Sequence, residues 1–141
     1  MKTGWYNNNE YFVVKPLNNG RRQSLIMGAV SVCGRWYIMI GVFSSYATYN
    51  SMRRSKAWET PTSTNKNPSA QTLSLALEAL NEIEQEIHNH ANGKRAYVYV
   101  DGLDARRLRV YTKVLTKRCG YKKSTAWSQT VANEHLLYKR V

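Results

Sequence analysis

The 141-residue sequence is poor in acid, cysteine and proline, and it has no long apolar run. With only Cys33 and Cys119, no Cys-x-x-Cys zinc pattern is present. Two isolated thiols are expected as small core residues, although the sequence leaves a disulfide between them open. No apolar run approaches the ~20 residues of a membrane helix, so a soluble chain is expected. The opening Met1-Lys2-Thr3-Gly4-Trp5-Tyr6-Asn7-Asn8-Asn9 lacks the apolar core of a secretory signal. The expected location is therefore the cytoplasm, or the host cytoplasm or virion interior if a phage encodes the chain. Nine acidic residues face 21 Lys and Arg, a net charge of +12. Four of the nine, Glu78, Glu82, Glu84 and Glu86, share one segment, so the remaining surface is more basic still. Such a field attracts polyanions: nucleic acid, nucleotides, coenzyme phosphates or acidic protein surfaces. The plainer alternative is a charge that keeps the chain soluble.

At this length and with 43% hydrophobic residues, one ordinary domain spanning 1–141 is expected. Residues 11–16 read as a short strand closed by Pro16, with a turn at Asn18-Asn19-Gly20. Leu25–Cys33 and Trp36–Ser45 read as a hairpin around Gly34-Arg35, and their near-continuous apolar content predicts central strands covered on both faces. Residues 50–68 lack apolar periodicity and form the longest loop, a place where function often sits. Asn67 and Pro68 then suit a helix cap and first turn. From Ser69 to about Asn89, Leu73, Leu77, Leu80, Ile83 and Ile87 mark a buried stripe, with Glu78, Glu82 and Glu86 on a solvated face, until Asn92-Gly93 stops the helix. Tyr97-Val98-Tyr99-Val100 is strand-like. A second helix follows from Asp104, ends on Lys117-Arg118, and stops at Gly120 in a left-handed position. Strands near 121–127 and 135–140 complete a mixed α/β (α+β) sheet of about six strands with two main helices.

Two basic groups are candidate polyanion sites. Arg106, Arg109, Lys113 and Lys117 are spaced three, four and four and so share one helix face, leaving Leu108, Tyr111, Leu115 and Cys119 for the core. That stripe would contact phosphates, or it is simply a solvated face. Arg53, Arg54 and Lys56 lie in the long loop beside Tyr46, Tyr49 and Trp58, where stacking on bases competes with Trp58 as a core plug. Other constellations are weak. His88 and His90 are two apart on a helix and diverge, so no metal site is expected. Glu134 and His135 would face opposite sides of a strand. Asp101 and Asp104 suit turn and cap roles. No Ser-His-Asp order or Walker loop is present.

From residue 24 onward the order of elements, with Leu115-Thr116-Lys117-Arg118-Cys119-Gly120-Tyr121 at its centre, resembles the C-terminal two-thirds of the GNAT superfamily of N-acetyltransferases. That family carries a Leu-Tyr-Glu-Lys-Leu-Gly-Phe-like run between a helix and a strand, and Phe12-Val13-Val14-Lys15-Pro16 resembles its opening strand. The resemblance implies a GNAT-like fold and an acetyl-CoA cofactor with no metal. It implies acyl transfer from acyl coenzyme A to an amine, with an acceptor that the charge would associate with nucleic acid. Two departures stand out. Where the family holds the pyrophosphate in a Gln/Arg-x-x-Gly-x-Gly/Ala loop, Thr62–Ala70 contains no glycine to let backbone approach phosphate closely. Free N–H groups at Ser69, Ala70 and Gln71, with Lys66 adding charge, could serve instead. Thr116 occupies the place of the tyrosine that protonates the leaving thiolate, which makes Tyr111 the candidate catalytic acid. The family's two N-terminal helices have no counterpart between Pro16 and Leu25. The competing expectation is a non-catalytic basic accessory or anti-defence protein of a phage-like genome, engaging nucleic acid, a nucleotide or an acidic host protein. A GNAT-like modification of DNA bases is a third.

Overall fold

The computed structural model describes residues 2–18, 23–43, 70–102 and 104–141. Near-continuous apolar runs build the central strands, alternation builds β5, and the three-and-four spacing builds the helices. In chain order they are β1 (Gly4–Asn7), β2 (Glu10–Pro16), β3 (Ser24–Val32), β4 (Arg35–Phe43), α1 (Ala70–Ala91), β5 (Tyr97–Val100), α2 (Ala105–Arg118), β6 (Lys122–Trp127) and β7 (His135–Arg140). The seven strands form one sheet in the order β1-β2-β3-β4-β5-β7-β6. β4 and β5 run parallel and every other neighbouring pair is antiparallel. The architecture is thus a mixed α+β sheet with two helices among the described residues.

The sheet has one strand more than the expected six, because the aromatic start Gly4-Trp5-Tyr6 pairs with β2 as an edge strand. Its signal is weak in sequence, since Asn7 closes the strand and Asn8-Asn9 form the hairpin turn within one polar run. The β3–β4 turn also sits one residue earlier than expected. Cys33 (φ 52°) and Gly34 (φ 79°) both take left-handed backbone, as the two-residue turn that matches strand twist requires. Arg35 instead opens β4 opposite Val32. Cys33 is therefore an exposed turn residue rather than the core residue expected. Both thiols are free.

Helix α1 lies across β2 and β3. Leu80, Ile83 and Ile87 are buried against Tyr11, Val13, Leu25, Met27 and Ala29, with Val98 and Leu137 from β5 and β7 completing the core. Burying each such side chain contributes roughly 1.5–3 kcal/mol, so this stripe fixes the helix. Glu78 and Glu82 of α1 are exposed, as expected, and Glu86 is half-buried. Lys15 of β2 bonds Glu82 at 2.9 Å and lies 3.9 Å from Glu78. Trp5 Nε1 donates to Glu86 at 3.3 Å. Glu84 is buried, accepting from Lys139 Nζ at 2.6 Å and from Tyr121 Oη at 2.9 Å. This network ties α1 to β7 and to the segment after α2. α1 ends where Asn92 (φ 49°) turns left-handed, as Asn-Gly predicts.

Asp104 caps α2, its Oδ1 accepting from the Arg107 amide at 2.8 Å. At the other end, Gly120 takes φ 77°, and the Cys119 and Tyr121 amides return to the Leu115 carbonyl. Leu108 and Leu115 are buried, and Tyr111 and Cys119 are half-buried, which matches the face read from spacing. Gly102 lets the exit of β5 pass against α2: a Cβ there would sit 2.6 Å from the Leu108 amide nitrogen.

Candidate functional site

β4 and β5 are paired only from Arg35↔Tyr97 to Tyr37↔Tyr99, while β4 runs on to Phe43 with β3 on its other side. Among the described residues, the β5-facing edge of β4 beyond Tyr37 therefore has no strand partner. On the helix side of this gap is an apolar cavity of about 50 Å³. Its floor is Met27, Ile38, Ile40 and Val100 of the sheet. One wall is Leu73, Ala76, Leu77 and Leu80 of α1, and the other is Tyr111, Val114 and Leu115 of α2. That volume amounts to a few waters, the scale of a short acyl group rather than a whole coenzyme.

The cavity exists because three elements with different periods converge on it. Ile38 and Ile40 are two apart on a strand and so share a face, Leu73, Ala76, Leu77 and Leu80 form a helical stripe, and Tyr111 and Leu115 are one turn apart. Tyr111 is half-buried and contributes to the apolar wall. Thr116 is exposed and is not part of the lining, and its hydroxyl donates to the Thr112 carbonyl of its own helix. It is placed to brace α2, not to serve the cleft.

The other candidate residues are scattered. Ala70 and Gln71 form the first turn of α1, three and two residues before Leu73, so the helix opens beside the cavity. Lys66, Ser69, Arg53, Arg54 and Lys56, with Asn67, Pro68 and Trp58, lie outside the described residues. Arg106, Arg109, Lys113 and Lys117 are all exposed on the outer side of α2, away from the cavity lining, and none has an acidic partner among the described residues. Asp101 is occupied structurally. Its Oδ1 accepts from the Gly102 amide at 2.8 Å and Ser128 Oγ at 2.6 Å, and its Oδ2 accepts from the Gln129 amide at 2.9 Å. It pins the β6–β7 connection to the exit of β5. His90 stacks on Trp5 at 4.5 Å and meets Trp36 edge-on, while His88 is exposed. His135 stacks on Trp127 at 4.3 Å. No three potential metal ligands gather among the described residues.

Ile38, Ile40, Leu73 and Val114 were not singled out as site residues by sequence reasoning. Their signal in the chain is hydrophobicity alone, which cannot separate a cleft wall from a filled core. No family model matches the chain, and no curated protein or solved structure matches it either.

Proposed function

We propose that the protein is a GNAT-like acyltransferase that moves an acyl group, acetyl in the first instance, from acyl coenzyme A to an amine. The observation that carries this reading is the edge of β4 beyond Tyr37, without a strand partner among the described residues, running past an apolar cavity with Tyr111 on its wall. A pantetheine arm has peptide-like amides that can pair with such an edge as an added strand does. The acyl group would fill the cavity. The pyrophosphate would meet the free N–H groups at the opening of α1, around Ala70 and Gln71, with Ser69 and Lys66 preceding them.

In the transfer, the amine nitrogen attacks the thioester carbonyl carbon. The new C–N bond forms as the C–S bond breaks, and sulfur leaves with the electron pair and takes the Tyr111 phenolic proton. The proton shed by the amine returns through water to the phenolate. A phenol carries its proton at neutral pH, which suits it to the acid role that a threonine cannot fill. The test is thiol release from acetyl-CoA in the presence of lysine peptides and polyamines. Tyr111→Phe should slow it by about 10²-fold with an unchanged thermal midpoint. Full activity in that variant would remove Tyr111 from the reaction.

A second reading rests on the α2 stripe: four exposed cations without acidic partners among the described residues suit a non-catalytic protein that binds nucleic acid, a nucleotide or an acidic host protein. Such a protein would serve as an accessory or anti-defence factor of a phage-like genome. A base-modifying enzyme would combine both features. Changing Arg106, Arg109, Lys113 and Lys117 together to Glu should abolish retardation of duplex DNA, and unchanged retardation would remove the stripe.

A further inference from the structure

On the sheet face opposite the helices, the strand register lines up two rows. Tyr37 of β4, Tyr99 of β5, Tyr138 of β7 and Lys122 of β6 are successive partners in one row. Arg35, Tyr97 and Arg140 form the row beside it. Partners in register project to the same side of a sheet, and ring contacts bear this out. Tyr37 and Tyr99 have centroids 5.4 Å apart at 26°, and Tyr99 and Tyr138 are 6.0 Å apart at 24°. Rings at those separations are neighbours in a row and not a fully overlapped stack.

All four tyrosines are half-exposed, whereas the valines that alternate with them, Val98 and Val100, are buried on the other face. Arg35, Arg140 and Lys122 are exposed around the rings, and Arg35 Cζ stands 5.8 Å from the Tyr99 centroid. None of these three cations has an acidic partner among the described residues. The nearest carboxylate in register is the buried Glu10, two strands beyond Tyr37 past Val30.

We propose that this face binds single-stranded nucleic acid, with bases stacking on the Tyr37–Tyr99–Tyr138 row and phosphates held by Arg35, Arg140 and Lys122. The chemistry selects this occupant. Exposed aromatic faces take unpaired bases, which a duplex keeps hidden between its own base pairs, and the flanking cations match the phosphates between those bases. An acidic protein surface would meet the cations but has no use for a row of stacking rings. The site is on the opposite face from the cleft and stands independently of acyl transfer. It is distinct from the α2 stripe as well.

Fluorescence anisotropy with labelled dT12 and U12 at 50 and 200 mM KCl provides the test. Both strands should bind, more weakly at the higher salt, and a 12-base-pair duplex should bind at least about tenfold more weakly than either. R35E/R140E should weaken dT12 binding by about tenfold or more, while R106E/R109E, the same change in charge placed on α2, should weaken it by no more than about threefold. Tyr99→Leu alters no charge and should cost about tenfold by removing the central ring. Circular dichroism and thermal melts of each variant confirm folding, and the two arginine variants change only exposed side chains. Equal losses from the two arginine pairs, an unchanged affinity in Tyr99→Leu, or duplex binding as tight as single-strand binding would each overturn the proposal. Tighter binding of U12 than dT12 would assign the face to RNA, and the reverse order would assign it to DNA.

Discussion

The two faces of the sheet are made by the same strands, and Tyr97-Val98-Tyr99-Val100 displays both at once. Its valines point into a core closed by α1, where Val98, Ile83, Ile87 and Leu137 are wholly buried. Its tyrosines point the other way into a row that ends among exposed arginines. Toward β2 and β3 the second face does become apolar, with Phe12, Ile26 and Met39 buried as a small cluster. The change along the sheet, from Met39 to Tyr37 within β4 itself, marks where buried apolar packing gives way to half-buried tyrosines beside exposed cations. One face supplies the packed core, and the other carries polar rings and cations that a core would not tolerate.

This contrast can be broken by substitution. Ile83→Ala, beneath α1, should cost about 3 kcal/mol in a denaturant melt, whereas Tyr99→Leu should cost under about 1 kcal/mol. Comparable losses would make the tyrosine row a second core and not a surface. Gly102→Ala sharpens the helix-face side, because its Cβ would meet the Leu108 backbone at 2.6–2.7 Å and the chain cannot move without shifting α2. A loss of about 2 kcal/mol is expected, together with weaker coenzyme binding as Tyr111 moves. A melt like that of the unsubstituted protein would show that α2 is not held at the exit of β5.

A smaller effect concerns pH. Burial, and then the charge and hydrogen bond of Glu84, hold the Tyr121 phenol well above its usual 10.0. Below about pH 10 the phenol is protonated in both folded and unfolded chains, and its contribution is complete. Above that pH the unfolded chain ionises Tyr121 while the folded chain does not, so stability falls as pH rises. Tyr121→Phe should lower stability by about 1–2 kcal/mol near neutrality, through the lost bond to Glu84, and make the alkaline decline shallower. An equally steep decline in the variant would assign it to other groups.

The helices and central strands were legible because period and punctuation agree there. Leu80, Ile83 and Ile87 recur at helical spacing, Asn92 and Gly120 mark the stops, and Asp104 caps where its position suggests. β1 was not legible, since four residues beside an asparagine run carry too little pattern. The site was legible only in part. Tyr111, singled out through a resemblance, lines the cavity, but where β4 runs on past its pairing with β5 is a long-range register that no local pattern encodes. The tyrosine row was likewise hidden. Tyr97 and Tyr99 announce a strand, but Tyr37 and Tyr138 join them only through pairings made across the chain.

The most direct measurement is isothermal titration of the nucleic-acid-free protein with acetyl coenzyme A at moderate salt, repeated with Ile38→Glu to place a charge on the cavity floor. The account predicts one-to-one binding in the micromolar range, weakened at least about tenfold by Ile38→Glu while the variant remains folded. No heat with the unsubstituted protein, or equal affinity in the variant, would contradict a coenzyme held between β4 and β5.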